Sequence, residues 1–280
     1  ERKLFNAMIL IGNPKWTAIN TTKRNRYFIR EFLKIASVII IAVSITATIF
    51  SITNEHHKHV DIAMQTIIVP AGQRVNIELP DGSNVWLNAG TQMQYPVSFM
   101  EDKREIILDG EAYFEVSKDQ KHPFIVQTEH INVQVLGTHF NVDAYRNNPE
   151  VKTTLLTGSV AVSNKSKSVR MILKPNEIAI YNKVEEKLTR KVLENVEDEI
   201  SWRQGEFIFD DLPLQEIARE LSNSFGATIH IADTALQNYR ITARFRDGED
   251  LATILSVLHN AGYFNYSQNN KQIIITAKPD

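Results

Sequence analysis

Eighteen consecutive residues, Ile35 to Ile52 (IASVIIIAVSITATIFSI), carry no charge, no proline and no glycine, and they constrain this chain more than anything else in it. As a helix rising about 1.5 Å per residue, the run spans roughly 27 Å, close to a hydrocarbon core of about 30 Å. Phe32, Leu33 and Thr53 extend it slightly. A buried core helix would show a polar stripe, whereas here Ser and Thr are scattered round the wheel. A cleaved signal peptide would place an apolar run of about 7–15 residues near its start, but 34 residues precede this one. The run therefore predicts an uncleaved transmembrane helix over 35–53.

The flanks give it a direction. Lys23, Arg24, Arg26, Arg30 and Lys34 lie upstream, while the stretch from Asn54 to Asp61 offers only Lys58 and three histidines beside two acids. Positive charge is retained on the cytoplasmic side, so residues 1–34 are expected in the cytoplasm and everything after the span outside it. Beside a membrane those five basic residues read as topology determinants in contact with inner-membrane lipid, rather than as a nucleic-acid patch. His56, His57 and His59 lack a further ligand nearby. They read as a solvated linker over 54–65, not a metal site. The chain begins at Glu1 rather than Met, so its N-terminus is expected to be incomplete.

Bulk composition closes several routes. A net charge of -2 gives no footprint for direct nucleic-acid binding. The absence of cysteine excludes disulfides, cysteine nucleophiles and thiolate metal sites. At 43% hydrophobic and 23% charged, the chain has ordinary globular composition.

From Thr66 to about Val192 the dominant hydrophobic period is two, the signature of strands. In RVNIELPDGSNVWLNAG, Val75, Ile77 and Leu79 share a face ahead of a Pro80-Asp81-Gly82 turn, and Val85 and Leu87 resume it with Trp86 opposite. Gly, Asn, Asp or Pro punctuates the following apolar runs with no long amphipathic helix between them. An all-β stack, sandwich or solenoid-like layer is expected over 66–195.

The pattern changes near Ile200. A strand from Glu206 to Phe209 leads into a helix with Asp210 or Asp211 as its expected cap and Pro213 in its first turn. Leu214, Ile217, Ala218, Leu221 and Phe225 form one apolar stripe that Gly226 ends. Two strands follow (ATIHIAD and RITARFR), then a second helix from about Glu249, and a closing hairpin around Asn269-Asn270. The expected order over 200–280 is β-α-β-β-α-β-β, a small α+β domain with edge strands able to accept a partner strand. Arg240, Arg244, Arg246 and Asp247 form a candidate polar rim for a partner, with a plain solvated surface as the alternative.

Catalytic constellations do not emerge. Glu111 and Glu115 lie on a strand whose alternation reads as half-exposed rather than as paired catalytic carboxylates. Ser83 sits in a tight turn with no histidine to activate it, and no nucleophile elbow, zinc motif or phosphate loop occurs. Neither an enzyme activity nor a cofactor is expected.

The strings LPDGSNVWLNAGTQMQYP, LDGEAYFEV, HPFIVQT, VQVLGTHFNVDAY and TLLTGSV, in order across roughly Ile67 to Tyr181, resemble the FecR family of anti-sigma regulators in its Bacteroidetes form. The junction WRQGEFIFDDLPLQEI is similar to that family's entry into a C-terminal domain like the short signalling domain of secretins and TonB-dependent transporters. The resemblance implies an inner-membrane protein with two partners. One is an extracytoplasmic-function sigma factor on the cytoplasmic side. The other is the signalling domain of a TonB-dependent, SusC-like outer-membrane transporter on the periplasmic side. An intramembrane protease is the implied means of release, and control of iron-chelate or glycan uptake genes the implied output. Leu4, Met8, Ile9 and Trp16 would be the tail of the sigma-binding region. Some relatives cleave themselves at a Gly-Thr bond, which matches Gly137-Thr138 here. A strand-to-strand bend with Thr138 packed by its methyl is the favoured reading of that pair. The alternative to regulation is a periplasmic scaffold or assembly module.

Overall fold

The computed structural model describes residues 22–54, 63–99 and 102–278, which fall into two compact units, 1–61 and 62–280. In the first, α1 (Thr22–Asn54) is one continuous helix of 33 residues. Its stretch Arg30–Phe50 has a mean hydropathy of 2.2 and is long and apolar enough to cross a membrane. The helix begins upstream of the apolar run because nothing from Thr22 to Lys34 breaks it, so Lys23, Arg24 and Arg26 lie on its opening turns. Lys34 pairs with Glu31 at 2.7 Å. The hydroxyls of Ser37, Thr46 and Thr48 donate to carbonyls one turn back in the same helix, which satisfies them without a neighbouring helix. The segment with Leu4, Met8, Ile9 and Trp16, and the three histidines at 56, 57 and 59, lie outside the described residues.

In the second unit, the chain winds between two seven-stranded sheets. One holds β1 (Met64–Ile68), β4 (Gln92–Pro96), β5 (Arg104–Asp109), β7 (Phe124–Gln127), β8 (Ile131–Val135), β11 (Val160–Asn164) and β12 (Arg170–Leu173), in that spatial order. The other holds, in chain order, β2 (Val75–Glu78), β3 (Asn84–Leu87), β6 (Glu111–Glu115), β9 (His139–Asp143), β10 (Glu150–Thr157), β13 (Glu177–Asn182) and β14 (Lys187–Val192). Strands are laid down one or two at a time on alternate sheets, which gives a sandwich built by a solenoid-like path. Neighbours pair antiparallel except β5 with β7, which run parallel because the chain crosses to β6 between them.

Alternation along each strand fills the space between the sheets. Val85 and Leu87 are buried there with Phe114, Phe124 and Phe140. Phe114 stacks on Phe140 within one sheet at 4.9 Å and meets Phe124 of the other at 6.0 Å. The Pro80-Asp81-Gly82 turn forms as expected, with Leu79 N–H donating to the Ser83 carbonyl. Asp81 does more than turn the chain: its carboxylate takes the Arg104 guanidinium at 2.6 Å, and that arginine side chain is only 5% exposed.

The remaining residues form a second core. It is built from β15 (Phe207–Pro213), α2 (Leu214–Phe225), β16 (Thr228–Ile231), the short α3 (Thr234–Gln237), β17 (Arg240–Phe245), α4 (Leu251–Asn260), β18 (Asn265–Asn269) and β19 (Gln272–Thr276). Strands β15 and β17 make one ribbon, and β16, β19 and β18 a three-stranded sheet in which β16 and β19 run parallel. The stripe Leu214, Ile217, Ala218 and Leu221 is buried as its spacing predicts. The start of α2 differs from expectation. Neither Asp210 nor Asp211 caps it: the strand runs on to Pro213, which takes the cap position with no side-chain bond. Cross-strand pairing wins over capping, since Leu212 and Pro213 pair with Ile241 and Arg240 across a bulge. Asp211 forms that bulge at a φ of 49°. Helix α3, capped by Asp233 on the Ala235 N–H, was not expected.

Candidate functional site

The side chains that tie the β stack to the C-terminal module start from one short element, a 3₁₀ helix over Val196–Gln204. Asn195 opens it by accepting from the Glu197 N–H. The element turns Ile200 and Trp202 onto the outer face of β6, where they bury Tyr113 with Trp86 and Leu156 alongside. The strand that reads as half-exposed is therefore covered. Arg203 lies 3.9 Å from the centre of the Tyr113 ring, a cation–π contact.

A polar chain runs inward from this contact. Trp202 Nε1–H donates to Asn141 Oδ1 at 3.3 Å, and Asn141 Nδ2 donates to Glu111 Oε1 at 2.8 Å. Asn88 Nδ2 holds the other Glu111 oxygen at 2.8 Å. Glu111, considered in sequence as one of a catalytic pair, is thus clamped by two amides, and Glu115 faces Arg203 instead. Ser83 is fully buried, donating to Asp81 and accepting from the Ser117 N–H, so its hydroxyl is spent on structure.

Further ties join the two cores. Arg74 donates to the Trp202 carbonyl and pairs with Asp247, both at 2.9 Å. Gly72 N–H donates to the Ser224 carbonyl at 2.7 Å, and Asn223 Nδ2 to Asn148 Oδ1 at 3.2 Å. Lys152 reaches Glu216 at 3.6 Å. Between them lies a cavity of about 440 Å³ faced by both cores. Burial raises Glu111, whose neighbour Asp143 adds to the rise. Burial also raises Asp143 and Glu199, against the pull of Lys152. Glu220 is pushed up to about 8 by burial. For Lys152 burial acts downward, but Asp143 and Glu216 outweigh it and the net direction is up. Sequence reading missed this group because its members are far apart in the chain. One signal was present: Glu216 and Glu220 sit at i and i+4 beside the apolar stripe of α2, a like-charge pair that an exposed helix disfavours.

The candidate rim residues split. Arg240 pairs with Asp211 at 2.8 Å and Arg244 with Glu206 at 3.2 Å, all along the β15–β17 ribbon. Arg246 is exposed, and Asp247 belongs to the joint through Arg74. Among the described residues, β17 pairs only with β15. At Gly137-Thr138 the chain makes a bend: Gly137 has a φ of 144°, with Lys118 packed where a side chain would sit. Thr138 is buried, and its hydroxyl donates to the Ser159 carbonyl at 3.2 Å. No group of acids and histidines among the described residues is arranged to hold a metal ion.

Comparison with known proteins then adds identity. A family model described as FecR protein matches residues 65–161, and one described as FecR, C-terminal, matches 206–275. Two crystal structures of a candidate anti-sigma factor from Parabacteroides distasonis ATCC 8503 superpose with TM-scores of 0.70. One is 29% identical and covers 78% of this chain; the other is 30% identical and covers 77%. Both are matched over 100% of their own length. The search of curated proteins returned no match.

Proposed function

The chain belongs to the FecR family of anti-sigma factors, and from that premise we propose that it is a single-pass inner-membrane regulator relaying an outside signal to a sigma factor. The observation that carries this reading is the likeness, over 77% of this chain, to the Parabacteroides anti-sigma structures, joined to a helix long and apolar enough to cross a membrane. In this reading the basic residues Lys23, Arg24, Arg26, Arg30 and Lys34 keep the N-terminal side cytoplasmic. There it acts on an extracytoplasmic-function sigma factor, and residues 62–280 are exported.

The receiver is the C-terminal module. Its β17 edge, lined by Arg240 and Arg244 and followed by Arg246, suits strand addition by the signalling domain of a TonB-dependent outer-membrane transporter. From there the joint at Trp202 couples the module to the β stack, and an intramembrane protease completes release of the sigma factor. Such a protein needs neither an active site nor a cofactor. At Gly137-Thr138 we favour the structural role: the Thr138 hydroxyl is committed to a carbonyl and the glycine serves the bend.

Calorimetry tests the receiver. The full chain in lipid nanodiscs should bind the isolated transporter signalling domain, and replacing Arg240 and Arg244 with Glu should weaken that binding roughly tenfold or more. Unchanged affinity in the double variant would remove the β17 edge from the account. Absence of binding at high micromolar concentration would remove the transporter.

A further inference from the structure

The cavity at the joint is built from more negative than positive charge, and both cores contribute. Glu111 comes from β6, Asp143 from β9 and Lys152 from β10, while Glu199 comes from the 3₁₀ helix. Glu216, Arg219 and Glu220 come from one face of α2. Tyr145 also lines it, with Glu150, Glu194, Asp198 and Asp210 adding charge around its wall. Lys152 is committed to Glu216. Unlike Glu111, which two asparagines hold, the Glu220 carboxylate takes no hydrogen bond among the described residues. When every acid ionises, only Lys152 and Arg219 in the cavity wall and Lys183 beside Asp143 are left to balance the carboxylates lining this cavity.

We propose that protons hold this joint shut: the C-terminal module stays docked on the β stack while Glu220 and its neighbours are protonated, and loosens as they ionise. The inference rests on the joint alone and holds whichever partners the chain serves. Undocking would carry Glu216 and Glu220 away from Glu111 and Asp143 and open the cavity of about 440 Å³ between them to bulk water. The direction follows from linkage. Glu111, Asp143, Glu199 and Glu220 all bind protons more tightly in the docked form than a free carboxylate does. Docking is therefore unpenalised below the ordinary carboxylate range, around pH 4.5. It weakens as pH rises towards about 8, where Glu220 ionises even when docked. Above that the part of the penalty that Glu220 contributes is complete. Lys152 is held charged by Asp143 and Glu216 and does not titrate in this window.

Because the chain has no cysteine, two can be added without background. Gln134 on β8 and Ser267 on β18 are both exposed, one on the β stack and one on the C-terminal module. The full chain in nanodiscs, carrying Gln134→Cys and Ser267→Cys with spin labels, is measured by pulsed electron resonance at pH 5.5 and 9. The expected result is one narrow distance at pH 5.5 and a broad, shifted distribution at pH 9. Adding Glu220→Gln should keep the distribution narrow at pH 9, and adding Lys152→Met should move opening to lower pH. Identical wild-type distributions at both pH values would overturn the proposal. So would a Glu220→Gln variant that opens with the wild-type midpoint.

Discussion

Asp81 illustrates how one residue can serve two levels of structure. Locally it turns the chain with Pro80 and Gly82; at long range it holds the buried Arg104 guanidinium. Pro-Asp-Gly announces the first role in sequence. The second depends on which strand lies opposite, and nothing near Asp81 encodes that. Glycines divide in the same way. Gly82 sits at φ 77° with only the Ser117 hydroxyl near the position of a side chain, at 3.5 Å. Gly110, at φ 123°, has the Thr91 Cα at 2.6 Å from that position. Gly82→Ala should cost only the left-handed backbone penalty, about 1–2 kcal/mol. Gly110→Ala must also displace backbone and should cost clearly more, with the two compared by urea unfolding at constant m. Equal costs would mean that β3 and β6 adjust freely around Thr91.

Among the elements, those with strong local periodicity were legible. The apolar helix, the paired strands and the stripe of α2 all follow from residue spacing, because burial acts on one face of a regular element. Elements decided by pairing or docking were not. The extension of β15 to Pro213 follows from the partner strand β17, and the 3₁₀ helix has too little apolar character to stand out. Yet that helix places the junction tryptophan. With Trp202 only 8% exposed and packed beside Tyr113 and Ile200, Trp202→Ala should cost about 3 kcal/mol, the usual scale for truncating a large buried ring. It should also uncouple the two cores, seen as two thermal transitions where the wild type is expected to give one. A single transition at an unchanged temperature would show that the joint stands without its tryptophan. The candidate site was missed for the same reason as the pairing: Glu111, Asp143, Lys152 and Glu220 come together only once the module docks.

At the scale of the molecule, the chain winds one or two strands at a time onto alternating sheets and then docks a small α+β module against the outer face of one of them. Each turn of that path is readable as a hairpin. The winding itself is not, because a hairpin within one sheet and a crossing to the other differ little in local sequence. What the assembly does depends on what lies across the membrane. The most direct measurement is the distribution of the extracytoplasmic-function sigma factor proposed as this chain's partner between membrane and soluble fractions, with the chain present and deleted. The account predicts that the sigma factor is retained on the membrane when the chain is present and uninduced, and becomes soluble when it is deleted. A sigma factor equally soluble in both strains would contradict the anti-sigma role at its centre.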